Sequence, residues 1–179
     1  MKALVIEDDA VARMVLKRLL TRFFPHNVLE AVDGEAGWTM IEQQHPAVIF
    51  CDMHMPKLDG LGVLRRLRAH PELKETALIA ITSVQEPEFV RQLIELGVAD
   101  YLLKPIALEG TVKRLAALLP ALLAAAKRRE EQAAAAAAAA KYAAELTAAA
   151  KPPAVVTAPQ PEPAATAAEP APAEAAEPA

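Results

Sequence analysis

Four short, mostly apolar runs that each end abruptly at a polar residue constrain the fold of this 179-residue chain more than any other feature. Runs that are apolar on both faces are typical of parallel strands that helices cover on both sides of a sheet. The runs and the polar residues that follow them are residues 3–6 with Glu7, residues 47–51 with Asp52, residues 77–81 with Thr82, and residues 99–103 with Lys104.

Amphipathic stretches between these runs predict helices. The apolar positions that share one face of the first stretch are Ala12, Leu16, Leu19, Leu20 and Phe23. Asp9 stands directly before this stretch and is expected to cap it. Further helices are predicted at residues 34–45, 60–69, 86–96 and 108–119, and a weaker edge strand at residues 28–32. Strands that alternate with helices are parallel and joined by right-handed crossovers, so we expect a (βα)5 fold in three layers.

The polar residues at the strand ends are the functional signal of the sequence. Ligand sites in open parallel sheets form outside the carboxyl ends of the strands, so we expect Glu7, Asp8 and Asp52 to meet there. Thr82 and Lys104 would add a hydroxyl and an ammonium group. Crowded carboxylates repel each other and favour a hard cation with oxygen ligands, such as Mg²⁺. Each residue alone is explained as well by a strand end or a helix cap, but their combination predicts a site.

Four motifs in this order resemble the receiver domain of two-component response regulators. They are Val5–Asp9, Asp52–Gly60, Ile81–Ser83 and Asp100–Pro105. The resemblance covers residues 1–120 and implies a flavodoxin-like sheet with strand order 2-1-3-4-5. It also implies a response regulator of a phosphorelay. Such a protein accepts a phosphoryl group from a sensor histidine kinase or a phosphotransfer protein, and signals through phosphorylation-dependent contacts with a downstream protein.

The resemblance implies a role for each acidic residue at the strand ends. Asp52 is the expected phosphoacceptor. Asp8 and Asp52 are expected to bind Mg²⁺ directly, while Glu7 acts largely through water. The main-chain carbonyl of His54 is expected to supply a further ligand.

Four more expectations follow from the same resemblance. Thr82 is expected to hydrogen-bond the phosphoryl group, and Lys104 to pair with Asp52 or with its phosphoryl group. Tyr101 occupies the position of an aromatic switch, although it is also explained as a half-buried tyrosine at the end of a strand. Pro105 occupies a position that follows a cis peptide bond in the family.

The fourth predicted helix carries more apolar residues than one buried stripe needs. Val90 and Ile94, one turn apart, are therefore expected to be exposed beside Tyr101, on the surface that the family uses for partners. This face would bind a downstream protein or a second copy of the chain after phosphorylation. The alternative is that both are isolated apolar surface residues, which are common.

Composition and charge argue against several other classes of protein. The net charge of −4 does not provide the basic face of a protein that binds nucleic acid. No apolar run is long enough to cross a membrane, and the single Cys51, expected in the core, fits a reducing compartment. We therefore expect a cytoplasmic protein that is not an enzyme beyond gaining and losing its own phosphoryl group.

Two alternative functions stay open at this point. One is a receiver-like scaffold that works independently of phosphorylation. The other is a phosphatase of the haloacid-dehalogenase type, which would need a second aspartate at the position of His54.

The amino-acid composition of the chain changes after residue 120. Residues 121–150 are rich in alanine and predict a helical extension, and Pro120 predicts a kink or a restart before it. Little apolar surface remains beyond Leu123, so this helix is expected to be an exposed spacer or a weak partner-binding rod. Residues 151–179 are rich in Pro, Ala and Glu and are expected to form a disordered tail.

Overall fold

The centre of the molecule is a five-stranded parallel sheet in the order β2-β1-β3-β4-β5. A computed structural model describes residues 1–149, with side chains through Glu145. The strands are β1 (Ala3–Ile6), β2 (Val28–Ala31), β3 (Val48–Asp52), β4 (Ala77–Thr82) and β5 (Asp100–Leu103). The structure therefore confirms the flavodoxin-like strand order.

Helices cover both faces of this sheet and form the outer layers of the predicted three-layer sandwich. They are α1 (Ala10–Leu20), α2 (Gly34–Gln44), α3 (Gly60–Ala69), α4 (Pro87–Glu95) and α5 (Leu108–Ala149). Leu16 of α1 and Leu115 of α5 belong to the core on one face of the sheet. Ile41, Leu64 and Leu93 bring α2, α3 and α4 to the core on the other face. Because neighbouring residues of a strand point to opposite faces, the central strands are apolar on both.

Aspartate side chains cap the first three helices by accepting hydrogen bonds from backbone N–H groups in the first turn. The pairs are Asp9 with Ala12 at 2.7 Å, Asp33 with Ala36 at 2.8 Å, and Asp59 with Gly62 at 2.7 Å. The predicted cap at Asp9 is therefore confirmed. Helix α2 ends at Gln44, one residue before the predicted end. His45 follows it in a left-handed conformation (φ 44°), directly before Pro46.

The fifth helix continues through Pro120 instead of restarting there. Pro120 lies on the exposed side of α5, where water can replace the missing backbone hydrogen bond. Leu119 is buried before it, and Leu122 and Leu123 pack on the core after it. This packing holds the helix together on both sides of the proline. Ala126 is also buried, so the packed part of α5 reaches further than the sequence predicted.

Residues Met1–Ala139 form one compact unit, and a second unit begins at Ala140. From Lys127 to Glu145, α5 is exposed except at the partly buried Arg129. None of the described helices has the length and apolar character needed to span a membrane. The predicted disordered tail, residues 151–179, lies outside the described residues.

Candidate phosphoryl-acceptor site

Four polar residues lie where the strands end, as the sequence predicts, and the side chains of Glu7, Asp52 and Lys104 contact one another there. Glu7 and Lys104 directly follow β1 and β5, and Asp52 and Thr82 are the last residues of β3 and β4. Backbone hydrogen bonds extend the ladders past the strand ends. The N–H of Lys104 donates to the carbonyl of Thr82 at 2.9 Å, and a similar bond joins Met53 to β4. These bonds align the four side chains at one edge of the sheet.

Glu7, Asp8 and Asp52 form an acidic cluster that could hold a metal ion. Each offers a carboxylate oxygen, and the three oxygens lie within 4.8 Å of one another. Glu7 and Asp52 are buried, whereas Asp8 is exposed. Among the described residues, Glu7 Oε2 is a buried oxygen that accepts no hydrogen bond. An unpaired carboxylate oxygen inside an all-oxygen cluster fits a hard cation such as Mg²⁺, or one of its waters.

Lys104 ties two members of the cluster together. Its Nζ donates to Glu7 Oε1 at 2.9 Å and to Asp52 Oδ2 at 2.7 Å. Burial raises the pKa of Glu7 to about 7, and the hydrogen bond from Lys104 offsets only part of that rise. Burial opposes the charge of Lys104, but its hydrogen bonds to Asp52 and Glu7 outweigh this effect and raise its pKa. The ammonium group is therefore held charged against Asp52.

The loop after β3 shapes the surroundings of Asp52. The backbone N–H of His54 donates to Asp52 Oδ1 at 3.1 Å, and the exposed His54 ring lies 5.7 Å from the ring of Phe89 in α4. Gly60 begins α3 so close to the site that a Cβ there would lie 2.3 Å from the carbonyl oxygen of Asp52. Glycine is therefore required at this position. The metal-binding role of the His54 carbonyl stays a prediction.

Thr82 and Tyr101 occupy different surroundings. Thr82 is fully buried, and its Oγ1 accepts a hydrogen bond from the N–H of Val84 at 3.0 Å. Tyr101 is half-buried, and the guanidinium carbon of Arg114 lies 5.6 Å from its ring centroid. The peptide bond between Lys104 and Pro105 is cis, as predicted. The switch role of Tyr101 stays a prediction.

The surface predicted to bind partners exposes less apolar area on α4 than the sequence predicts. Ile94 is 62% exposed, as expected, but Val90 is only half-buried. Val90 lies in the first turn of α4, directly after Phe89, which packs on the core. Cys51, in contrast, is buried in the core as predicted.

Sequence reasoning missed one residue that contacts the site. Arg13 Nη1 donates to the carbonyl oxygens of Glu7 at 2.8 Å and of Asp8 at 3.3 Å, and its Nε lies 3.9 Å from Glu30. Arg13 therefore supports the loop that carries the acidic residues. The position of Arg13 in the first turn of α1 could have indicated this role. A cation there is unfavourable next to the positive end of the helix dipole unless negative groups lie nearby.

A flavodoxin-like sheet that carries an acidic cluster and a paired lysine at its carboxyl edge defines the class of this domain. Residues 3–116 match the family described as the response regulator receiver domain. The chain therefore belongs to the receiver family of two-component response regulators. Members of this family are signalling proteins.

Individual relatives agree with this assignment. The chain is 31% identical over 121 residues to a probable chemotaxis protein CheY of Rhizobium etli, covering 68% of this chain and 94% of that protein. It is 33% identical over 118 residues to the probable transcriptional regulator ycf27 of Porphyridium aerugineum, of which it covers 48%. A crystal structure of the N-terminal domain of a Wolinella succinogenes protein is similar, with a TM-score of 0.62 and 35% identity. That match covers 69% of this chain and 98% of the other.

Proposed function

We propose that the chain is a cytoplasmic response regulator that accepts a phosphoryl group on Asp52 and signals through phosphorylation-dependent protein contacts. The position of Asp52 carries this proposal. Its carboxylate is buried at the end of β3, 2.7 Å from Lys104 Nζ and in one cluster with Glu7 and Asp8. A carboxylate is a weak nucleophile towards phosphorus unless nearby cations neutralise the phosphoryl oxygens. The site combines the nucleophile with Lys104, which carries one such charge, and with carboxylates that could hold a metal cation.

The proposed reaction is transfer from a phosphohistidine of a sensor kinase or a phosphotransfer protein. A carboxylate oxygen of Asp52 forms a bond to phosphorus while the bond from phosphorus to the imidazole nitrogen breaks. Glu7, Asp8, Asp52 and the His54 carbonyl would hold Mg²⁺, which supplies positive charge to the phosphoryl oxygens. Lys104 is already held at Asp52 and pairs with the transferred group. Catalysis is then mainly positioning and electrostatics.

The proposed response to phosphorylation passes through Thr82 and Tyr101. The Thr82 side chain moves towards the phosphoryl group and hydrogen-bonds it. Tyr101 then turns towards the space that Thr82 leaves. The face of α4 and β5 that carries Val90, Ile94 and Tyr101 then changes shape. A partner that binds the altered face more tightly shifts the population towards it, which is all that a ligand-linked switch requires. That partner is a downstream protein or a second copy of the chain.

The experiment is labelling by acetyl phosphate with Mg²⁺, read on a phosphate-affinity gel. The wild-type chain and an Asp59→Asn control should each take up one phosphoryl group, because Asn keeps the cap that Asp59 provides to α3. Asp52→Asn should take up none while keeping the fold, and Asp8→Asn should label slowly because it loses a metal ligand.

Three results would overturn the proposal. Labelling of Asp52→Asn equal to that of wild type would place the acceptor elsewhere. An inert wild-type chain would favour the scaffold that works independently of phosphorylation. Continuous hydrolysis of a small phosphomonoester would favour a phosphatase of the haloacid-dehalogenase type.

A further inference from the structure

The loop that follows β3 contains a lysine in a backbone conformation that lysine rarely adopts. Residues 53–59, here called the acceptor loop, connect the proposed phosphoacceptor Asp52 to α3. Within this loop, Lys57 has a φ of 68°, which lies in the left-handed region that favours glycine and asparagine. Such a conformation persists only where the surroundings hold it, and residues of this kind cluster at functional sites.

An ion pair with Asp33 holds the side chain of Lys57. Lys57 Nζ donates to Asp33 Oδ2, while Asp33 Oδ1 accepts a hydrogen bond from the N–H of Ala36 in the first turn of α2. The hydrogen bond from Ala36, followed by the one from Lys57, lowers the pKa of Asp33 and keeps its carboxylate charged. The Asp33 side chain is only 10% exposed, whereas that of Lys57 is 66% exposed. Lys57 therefore pairs with a carboxylate that the start of α2 already fixes in place.

The backbone of the acceptor loop is anchored at the same place. A Cβ at Gly34, the first residue of α2, would lie 2.1 Å from the carbonyl oxygen of Leu58, so this close approach requires glycine. At the other end of the loop, the N–H of Gly60 donates to the carbonyl of Met53 at 3.3 Å. The acceptor loop is thus closed on itself beside β3 and tied to α2 at its far side.

The ion pair connects two sides of the acidic cluster. On one side, the N–H of Glu7 donates to the carbonyl of the last residue of β2 at 3.2 Å, and Asp33 caps α2 just after that strand. On the other side, the N–H of His54 in the acceptor loop donates to Asp52 Oδ1 at 3.1 Å. The contact of Lys57 with Asp33 therefore links the element that follows β2 to the loop that carries His54.

We propose that Lys57 is a positioning residue for the acidic cluster: its ion pair with Asp33 holds the acceptor loop in the conformation that keeps the main chain of His54 at Asp52. The inference rests on the proposed function, in which Asp52 and the His54 carbonyl hold Mg²⁺. Groups that orient metal ligands affect metal affinity without touching the metal. When the pair is removed, the left-handed backbone of residue 57 loses the contact that holds it, and the loop relaxes away from the site.

A second ion pair between α2 and α3 provides a matched control. Arg66 of α3 donates to both carboxylate oxygens of Glu35 in α2, at 3.1 Å each. Both side chains are about half exposed, and neither residue belongs to the acceptor loop. Exposed ion pairs contribute little to the free energy of unfolding, so the loss of either pair should leave the fold intact. Only the loss of the Lys57 pair should change the site.

Matched substitutions in the full chain test the proposal. Lys57→Met and Asp33→Asn each remove the ion pair, and Asn still caps α2. Arg66→Met and Glu35→Gln remove the control pair with the same changes of charge. Two properties are measured for each variant without a phosphodonor: the hydrogen exchange rate of the His54 amide in metal-free protein, and Mg²⁺ affinity by calorimetry. Urea unfolding checks that each variant is folded.

Lys57→Met and Asp33→Asn should each weaken Mg²⁺ binding about tenfold and speed the exchange of the His54 amide. The direction of the Lys57→Met effect is diagnostic, because removing a positive charge near an acidic cluster would by itself strengthen Mg²⁺ binding. The double variant should lose no more than either single variant, since both remove the same contact. Lys57→Arg keeps the charge and should behave like wild type, as should both control variants.

Several results would overturn this inference. Wild-type Mg²⁺ affinity and His54 exchange in Lys57→Met would show that the pair is an ordinary surface contact. Additive losses in the double variant would show that Lys57 and Asp33 act independently, and an equal loss in Arg66→Met would assign the effect to charge alone. A wild-type chain that binds no Mg²⁺ would also contradict it.

Labelling by acetyl phosphate separates this inference from the proposed function. A wild-type chain that binds Mg²⁺ with the expected dependence on Lys57, but takes up no phosphoryl group, would overturn the proposed function and leave the positioning role in place. A wild-type chain that is labelled on Asp52, with Lys57→Met equal to it in Mg²⁺ affinity, would overturn the positioning role alone.

Discussion

Glu7 is the residue whose protonation is most closely linked to the architecture of the site. It is fully buried, and burial raises its pKa to about 7 although Lys104 donates a hydrogen bond to it. The neighbouring carboxylate of Asp52 adds to the rise. The folded protein therefore holds a proton on Glu7 at a pH where an exposed glutamate has lost it. The acidic cluster, which could hold a metal ion, therefore carries less negative charge below about pH 7 than three exposed carboxylates would.

The stability of the metal-free protein should depend on this proton. The folded state binds the proton more tightly than the unfolded state, so the contribution of Glu7 is largest below about pH 4.5 and is lost as the pH rises to about 7. The loss is about 3 kcal/mol at most. Urea unfolding with a chelator, at several pH values in this window, should show this decline in wild type. Glu7→Gln should lack it, and an equal decline in that variant would contradict the assignment.

At the scale of elements, α4 is fixed at one end and contacts the site at the other. Arg68 of α3 donates to the carbonyls of Leu96 at 3.1 Å and Gly97 at 2.7 Å, just after α4 ends, and to two carbonyls of the loop before β4. Near its beginning, α4 places Phe89 next to His54. The exposed Ile94 lies between these two contacts. A change at the Asp52 loop can therefore reach the exposed face of α4 while its end stays in place.

Ile94→Asp should separate phosphorylation from its output. The substitution places a charge on an exposed residue, so labelling of Asp52 by acetyl phosphate should stay within about twofold of wild type, since exposed substitutions usually perturb the fold little. Phosphorylation-dependent binding of a partner, or dimerisation, should be lost. Met14→Asp, at an exposed residue of α1, is the matched control and should keep both. Unchanged phosphorylation-dependent contacts in Ile94→Asp would place the output face elsewhere.

At the scale of the whole molecule, the stability of the receiver unit includes the part of α5 beyond Pro120. Leu122, Leu123 and Ala126 pack on the unit, although the receiver family match ends at residue 116. Residues 151–179 have the composition of a chain that forms no core. The two parts of the C-terminal region should therefore respond differently to deletion.

Two truncations measured by calorimetry test this difference. A chain that ends at residue 150 should unfold at the same temperature as the full chain and be phosphorylated equally well. A chain that ends at Leu119 loses the packing of Leu122, Leu123 and Ala126, and should lose about 2 kcal/mol and several degrees. If the chain that ends at residue 150 melted at a lower temperature than the full chain, the tail would stabilise the domain after all.

Features that depend on near neighbours in the chain could be predicted from the sequence. The runs that became β1, β3 and β4 are apolar on both faces because burial on both faces requires it. Asp9 caps α1 through a residue three positions away, and the length of α3 was predicted without error. The strand order, in contrast, came from the resemblance of the motifs to a known family. Neither periodicity nor composition distinguishes it from other orders.

The hydrogen bond from Lys104 to Glu7 is the clearest feature that the sequence did not predict, whereas the pairing of Lys104 with Asp52 was expected from the family resemblance. Lys104 lies 97 residues from Glu7 and 52 residues from Asp52, and it reaches both only because β1, β3, β4 and β5 adopt one order in one sheet. The same holds for Arg68, whose partners lie up to 29 residues away, and for Phe89 beside His54. Local patterns determine which residues become helix, strand or cap, because those choices depend on neighbours and on burial. Contacts between distant residues, and the pKa of Glu7 with them, depend on how the finished layers pack.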